Sequence, residues 1–292
     1  MQDKPLVTVI CLCYNHEKYV VETLNSVVNQ DYPNIELIIS DDCSSDNSVS
    51  VIENWLQNHQ NITFIKNTEN LGSNKTFNNA FKIAKGEFII DLAADDILLP
   101  HCISKQVSAY INSKYDNLGL VYANFNLVDK NRKLKSIYFD ATEKPESGNV
   151  YEMVISRSVK LGSLCSLYKA TVFRELGGYD ETLAYEDLDI WVRISRNYKV
   201  EYIDEVLAEK RELDDSLSAH FLKKNNPKTR FLHQSTLRIF EKILDLNQSR
   251  RENKAVLNRM KFELHKFTAA REWKLTIQLL ILMIKAYLKT IY

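Results

Sequence analysis

The chain has 292 residues, 45% hydrophobic and 26% charged, with Lys and Arg balancing Asp and Glu at 38 each. That composition suits one large α/β domain or two smaller ones, and it excludes disordered and collagenous chains. The neutrality is not uniform: residues 221–292 hold 16 Lys and Arg against 5 Asp and Glu, which leaves 22 against 33 in residues 1–220, an acidic body with a basic tail.

Met1 to Pro5 is polar, with no charged start leading into an apolar stretch, so no signal peptide is read and a cytosolic protein is expected. Cys11, Cys13, Cys43, Cys102 and Cys165 are odd in number and scattered, which argues against a disulfide framework. Cys11 and Cys13 share one face of an expected buried strand and are read as core packing rather than as metal ligands.

In chain order, "PLVTVICLCYNH" is a β-branched run ending in a polar cluster, and the next segment places Val20, Val21, Leu24, Val27 and Val28 at helical spacing. "NIELIISDD" reads as a second strand. "SSDNSVSVIENWLQNH" follows as a helix with Val49, Ile52, Trp55 and Leu56 on one face, and "NITFIKN" as a third strand. "NKTFNNAFKIAKG" supplies another helix and "EFIIDLAADD" a fourth strand. Strand and helix alternation with short connections predicts a mostly parallel, doubly wound sheet. Beyond Pro100 come a helix near 101–114, the strand "LGLVYANFNLV", a polar surface excursion over 129–148 and a short helix from Val150. "YEDLDIWVRISRN" then reads as a helix opened by acids and closed by bases, and the chain is helical from Pro227 onward.

Parallel sheets bind ligands at the carboxyl ends of their strands, and here those ends carry Tyr14 and Asn15, Asp41 and Asp42, and Asp95 and Asp96. No G-x-G-x-x-G or G-x-x-x-x-G-K-[ST] occurs, so no glycine loop cradles phosphates. Adjacent carboxylates repel unless a cation lies between or beyond them; Asp95 and Asp96 read either as an Asp-rich loop that caps the next helix or, as their strand-end position favours, as holders of Mg²⁺ or Mn²⁺ bridging to substrate phosphates. Asp46 is read as a helix cap. Glu186, Asp187 and Asp189 cluster beside Trp191 and Arg193, a pattern that by itself also describes a solvated helix start.

Three segments in this order, "TVICLCYNHEKYVVETLNSVVNQDYPNIELIISDDCSSDNSV", "NLGSNKTFNNAFKIAKGEFIIDLAADD" and "LGGYDETLAYEDLDIWVRI", closely resemble the inverting family-2 glycosyltransferases with an A-type nucleotide-sugar-binding fold. The resemblance covers roughly residues 5–220. It implies a single α/β catalytic domain over 1–220 with a Rossmann-like central sheet, its nucleotide half about 1–100 and its acceptor half about 101–220. The residues from 221 to 292 form a basic helical extension. By the same resemblance Tyr14 and Asn15 line the nucleotide pocket, with the Asp41–Asp42 pair beside them and Asp41 at the uracil edge. Asp95 is the second acid of the Asp-X-Asp metal motif, Asp96 beside it is a further ligand or an orienter of the donor sugar, Arg211 is placed with it as a donor-sugar residue, and Asp187 is the general base.

The chain departs from that pattern at two places: Ala93 stands where the motif has its first Asp, and Leu213 stands where a His is often found. His220 is read as a surface residue. The implied partners are a nucleotide-sugar donor, most simply UDP-linked, and a glycan or lipid-linked acceptor in cell-surface polysaccharide assembly, with oligomerisation left open. A nucleotidyltransferase would be expected to carry an early glycine-rich loop, which is absent; a non-catalytic sugar-nucleotide-binding scaffold is the alternative that Ala93 and Leu213 suggest. Residues 271–292 are apolar around Leu279 to Ile284, but Lys285 interrupts well short of the ~20 residues a spanning helix needs. The segment is expected either to lie on a membrane surface through Trp273, Tyr287 and its lysines, or to pack on protein. No nucleic-acid module is recognised, and no nucleic-acid partner is expected.

Overall fold

The computed structural model describes residues 4–143, 145–157, 162–213 and 220–291. It divides into two compact units. The first comprises the described residues of Met1–Gly148, Gly162–Tyr179 and Tyr198–Glu212, and the second those of Asn149–Leu161, Asp180–Asn197 and Leu213–Tyr292.

The first unit opens with β1 (Val7–Cys13), α1 (Val20–Val28), β2 (Ile35–Asp41), α2 (Ser48–Leu56), β3 (Thr63–Lys66), α3 (Ser73–Phe81) and β4 (Phe88–Ala93). The short β5 (Ile97–Leu98) and α4 (Cys102–Ile111) lead to the long β6 (Leu118–Val128) and to β7 (Leu134–Ile137). In chain order the second unit then contributes α5 (Tyr151–Arg157), the first unit β8 (Ser166–Lys169) and α6 (Ala170–Glu175), the second unit α7 (Asp187–Asn197), and the first unit β9 (Lys199–Arg211).

Among the described residues nine strands form one sheet in the order β3-β2-β1-β4-β8-β6-β9-β5, with β7 paired to β6. Strands β3, β2, β1 and β4 are parallel, as are β6 and β9, while β8 is antiparallel to both its neighbours and β5 is antiparallel to β9. The α/β class and mostly parallel sheet expected from the alternation are therefore present. Continuous apolar runs suit such a sheet, because central strands are covered on both faces. Val7, Val9, Ile10 and Cys11 are all fully buried, and so are Val20, Leu24 and Val27 of α1, which fall at helical spacing. Cys11 and Cys13 are core residues as read, and burial pushes the Cys13 thiol up to about 12. Trp55 of α2 donates its indole N–H to Asn25 of α1 at 2.8 Å, giving its polar edge a partner as it enters the core.

Four strands lie outside the sequence expectations, the two-residue β5 among them. β7 falls within the polar excursion and exposes all four residues, so no apolar alternation marks it. The short β8 has the space of only four residues in a run read without an element. β9 carries seven charged residues among thirteen, and its apolar positions become informative only once β6 and β5 flank it.

The second unit is helical: α5 and α7 together with α8 (Pro227–Leu246), α9 (Arg250–Ala269) and α10 (Trp273–Ile291). Its boundaries have local chemical causes. Pro227 occupies the first turn of α8, where its missing N–H costs nothing, and Asn226 accepts the N–H groups of Lys228 and Thr229. Ser249 and Glu252 form a reciprocal capping box that starts α9. His220, expected at the surface, is instead 6% exposed, and its carbonyl accepts the Thr229 hydroxyl at 2.6 Å. Its place in the packing of the second unit, which the local sequence does not encode, overrides the polar preference.

Gly86 is the tightest backbone approach in the sheet: its N–H donates to Thr8 Oγ1 at 2.9 Å, and an added Cβ would lie 2.5 Å from the Thr8 main-chain nitrogen. Backbone cannot yield there as a side chain can. Gly86→Ala is therefore expected to destabilise the protein by about 1–3 kcal/mol, read as a lower denaturant midpoint with unchanged slope.

Candidate active site

Register, before any side chain, builds the site. Cys13 pairs with Asp41 and Leu12 with Ala93, so β1, β2 and β4 end at one level. The chain continues that alignment beyond the strands: the Asp42 N–H donates to the Cys13 carbonyl at 2.9 Å and the Ala94 N–H to the Leu12 carbonyl at 2.8 Å. Adjacent strands lie roughly 4.8 Å apart, which puts the β2 and β4 ends about 10 Å from each other with β1 between them. Tyr14, Asn15, Asp41, Asp42, Asp95 and Asp96 are thus brought to one edge of the sheet.

Their environments differ. Tyr14 leaves 47% of its surface exposed. Asn15 adopts a left-handed φ of 59°, a conformation Asn tolerates, and its side-chain oxygen accepts the Ser45 N–H at 2.7 Å. Asn15 N–H donates to Ser44 Oγ, whose hydroxyl donates in turn to Asp41 at 2.5 Å, and Asp41 also accepts the Ser44 N–H. Asp46 accepts the N–H groups of Glu17 and of Ser48, the first residue of α2, so it ties the start of that helix to the β1–α1 loop, although the N-cap position itself belongs to Asn47. Asp42 is buried and accepts from the Leu71 and Gly72 N–H groups, the Thr76 hydroxyl and the Asn67 amide. That set of bonds makes Asp42 the organiser of the turn before α3.

The β4–β5 turn is held from beneath by Arg211, at the end of β9. Its N–H donates to Asp96 at 2.9 Å, and its guanidinium donates to the Asp95 carbonyl at 2.5 Å and to Glu22 at 2.6 Å. The same guanidinium lies 4.6 Å from the centre of the Tyr19 ring. Arg211 is 4% exposed, so it braces the turn from within. Asp96 is 6% exposed; burial, then the charge of Asp95, pushes its carboxyl up, against the opposing pull of Lys210 and Arg211. Asp95 is the accessible member of the pair. Among the described residues its carboxylate accepts no hydrogen bond, and the His16 ring stands beside it with Nδ1 4.0 Å from Oδ1.

Among the described residues no group of three or more His, Cys, Asp or Glu side chains is arranged to hold a metal ion; what the turn offers is the unsatisfied Asp95 carboxylate with an orphaned buried ring nitrogen of His16 beside it. Glu22, Tyr19 and His16 were not singled out from sequence. Only His16 falls in the polar cluster after β1, and Tyr19 and Glu22 at the start of α1 carried no signal, because their partners lie far along the chain.

The acids of "YEDLD" belong to the second unit, and the structure separates them. Asp189 is 1% exposed and is paired to Arg193 and to Lys242, each at 2.7 Å; Lys242 also holds Asp180 at 2.6 Å. Asp189 is therefore an internal ion-pair residue. Asp187 opens α7, is partly exposed, and accepts the Leu188 N–H at 2.6 Å.

A mostly parallel sheet with acids gathered at the ends of β2 and β4 places the protein among the α/β folds that bind ligands at their strand ends. The sequence profile described as Glycosyl transferase family 2 matches residues 8–175, more than half of the chain, and the protein belongs to that family. Its relatives include an uncharacterized glycosyltransferase of Methanocaldococcus jannaschii, 29% identical over 212 residues, or 72% of this chain and 71% of that protein. Uncharacterized glycosyltransferases of Rickettsia felis and Rickettsia typhi are 30% and 33% identical over 80% and 72% of this chain. The chain spans only 39% and 65% of those two rickettsial proteins. Among solved structures, S. aureus TarS 1-349 in complex with UDP-GlcNAc matches 96% of this chain and 81% of its own with a TM-score of 0.70 at 19% identity. The mannosyltransferase PcManGT of Pyrobaculum calidifontis, in complex with GDP-Man and Mn2+, matches 100% of this chain and 88% of its own with a TM-score of 0.61 at 17% identity. At such identities the likeness establishes the shared fold.

Asp91, on β4, accepts the Tyr179 hydroxyl at 2.9 Å, yet burial pushes its carboxyl up to about 7. A raised folded pKa means that its contribution to stability is full below about pH 4, the unfolded range, and is lost as pH rises through 7. Asn keeps the acceptor and cannot ionise. Asp91→Asn should match the wild type near pH 4 and exceed it by on the order of 2 to 4 kcal/mol at pH 8, measured by urea denaturation across that range.

Proposed function

We propose that the chain is an inverting, divalent-cation-dependent glycosyltransferase. It moves a sugar from a UDP-linked donor to a hydroxyl of a glycan or lipid-linked glycan in cell-surface polysaccharide assembly. The observation that carries the reading is the level alignment of β2, β1 and β4: Asp41 sits at one end of an edge about 10 Å long, the exposed Tyr14 follows the strand between, and the Asp95–Asp96 turn stands at the other end. That span suits a nucleoside at one end and its two phosphates at the other. The nucleotide sugars held by the TarS and PcManGT structures, and the Mn2+ of the latter, support the same assignment.

In this reading Tyr14 offers its face to the base and Asp41 accepts the base N–H, its geometry set by Ser44. Asp95 holds the cation, which when bound neutralises charge on the leaving diphosphate. Arg211 fixes the main chain of that turn, so Asp95 and Asp96 meet the donor in one arrangement. Asp187 takes the proton from the acceptor hydroxyl as it attacks the anomeric carbon, and a single displacement inverts that centre. Support for Asp187 over its neighbour comes from Lys242 and Arg193, which already neutralise Asp189.

Asp187→Asn should lower transfer by about 10² to 10⁴ while leaving the UDP-induced rise in melting temperature intact. An equal loss of nucleotide binding would reject Asp187 as the base. Thermal shifts with UDP, GDP and CMP and their sugars, with and without Mn²⁺, identify the donor. Binding with no turnover of any donor would return the protein to a scaffold.

The setting proposed for this reaction is the cytoplasmic face of a membrane. Among the described residues no helix is long and apolar enough to cross one. Helix α10 instead presents Trp273, Ile277, Leu280, Ile284, Tyr287 and Ile291 to solvent, all 42% exposed or more. At 100° per residue they fall within an arc of about 80°, opposite the buried Leu275, Leu279, Leu282 and Ala286. The helix contains no acid, and Lys274, Lys285 and Lys289 border the apolar stripe on one side. A second copy would bring more lysines and no carboxylate from this helix, whereas an anionic lipid surface complements both features. The full chain should float with phosphatidylglycerol-containing vesicles and not with neutral ones. Ile284→Asp should abolish that partition, and Lys285→Gln should weaken it about fivefold, the equivalent of roughly 1 kcal/mol.

A further inference from the structure

We infer that His16 is a second protein ligand of the cation held at Asp95, supplying through Nδ1 what Ala93 cannot. The inference rests on the cation-dependent reading above and adds a ligand to it.

His16 Nδ1 is buried and has no hydrogen-bond partner, an expensive state for a polar atom unless something else meets it. It lies 4.0 Å from Asp95 Oδ1, too far for a hydrogen bond. The separation nevertheless falls within reach of one ion, because bonds of roughly 2.0 to 2.2 Å allow two ligands to stand as much as about 4.4 Å apart. With Ala93 at the end of β4, Asp95 would otherwise offer the ion a lone carboxylate from that strand, with Asp96 buried beside it.

The ring is positioned for this task. His16 N–H donates to Ser48 Oγ at 2.9 Å, and the His16 carbonyl accepts the N–H groups of Tyr19 and Val20, so the backbone that carries the imidazole is fixed. The imidazole meets the Tyr19 ring edge-on at 6.4 Å, and the Arg211 guanidinium that lies over Tyr19 also holds the Asp95 carbonyl. One brace thereby sets both ligands. Coordination through Nδ1 uses the tautomer that is protonated at Nε2.

Replacing a carboxylate by an imidazole changes which metal is favoured. Oxygen-only sites suit Mg²⁺, whereas a ring nitrogen suits transition ions, so this chain should favour Mn²⁺ over Mg²⁺ more strongly than a two-carboxylate site would.

Mn²⁺ binding by the full chain, with and without UDP, followed by electron paramagnetic resonance, tests this directly. Nitrogen-14 modulation of the Mn²⁺ echo reports a coordinated imidazole. The wild type should show that modulation, and His16→Gln should lose it together with tenfold or more in Mn²⁺ affinity, circular dichroism confirming the fold. Ala93→Asp in the His16→Gln background should restore affinity and shift preference toward Mg²⁺. Unchanged affinity in His16→Gln, or no nitrogen modulation in the wild type, overturns the assignment of His16. Asp95→Asn distinguishes the two levels: if it too leaves Mn²⁺ binding unchanged, the cation site at Asp95 falls with it.

Discussion

Two carboxylates on successive residues at the end of a buried strand are the constraint around which the first unit is arranged. Repulsion between Asp95 and Asp96 must be answered, and Arg211 answers part of it from β9, more than a hundred residues away, by fixing one Asp96 oxygen and the Asp95 carbonyl. That contact requires β5 to pair with the end of β9, which in turn requires β9 to run beside β6. What remains unanswered is the accessible Asp95 carboxylate. The cation of the proposed function would answer it, linking fold and chemistry through one electrostatic fact.

The loops at the strand ends share a second principle: polar side chains there mostly bond to the main chain of other loops. Asn15, Ser44 and Asp41 form one connected set, and Asp42 gathers three donors from the β3–α3 turn and a fourth, Thr76, from α3. Such cross-links fix a binding edge before any ligand arrives, so less ordering is required on binding. They also divide the acids by role. Asp189 looks alike in sequence to Asp187 yet is saturated by Arg193 and Lys242, whereas Asp41, 1% exposed, is bonded internally just as Asp42 is.

Much of the architecture was legible because its causes are local. Alternation of β-branched runs with helical apolar spacing marked β1 to β4 and their helices, and Asn226, Pro227, Ser249 and Glu252 set the starts of α8 and α9 through their own side chains. The family resemblance pointed to the same strand ends. Strands β7, β8 and β9 were not legible, since a short or heavily charged strand acquires its apolar face only from its neighbours. His220 was misread for the same reason: its burial is a property of the packing around it rather than of its flanking residues.

By itself, the sequence determined which residue types reach the ends of the first, second and fourth strands, because a strand delivers the residues that follow it whatever the rest of the chain does. It also determined that the tail is basic and ends in a helix too broken by Lys285 to cross a bilayer. Tertiary structure alone decided which of those polar groups are left open. Whether a carboxylate is saturated or available depends on donors distant in the chain: Arg211 for Asp96, Lys242 for Asp189, and the turn before α3 for Asp42. The orphaned nitrogen of His16 beside Asp95 is the sharpest case, since no spacing rule relates residues 16 and 95 until parallel register aligns their strands.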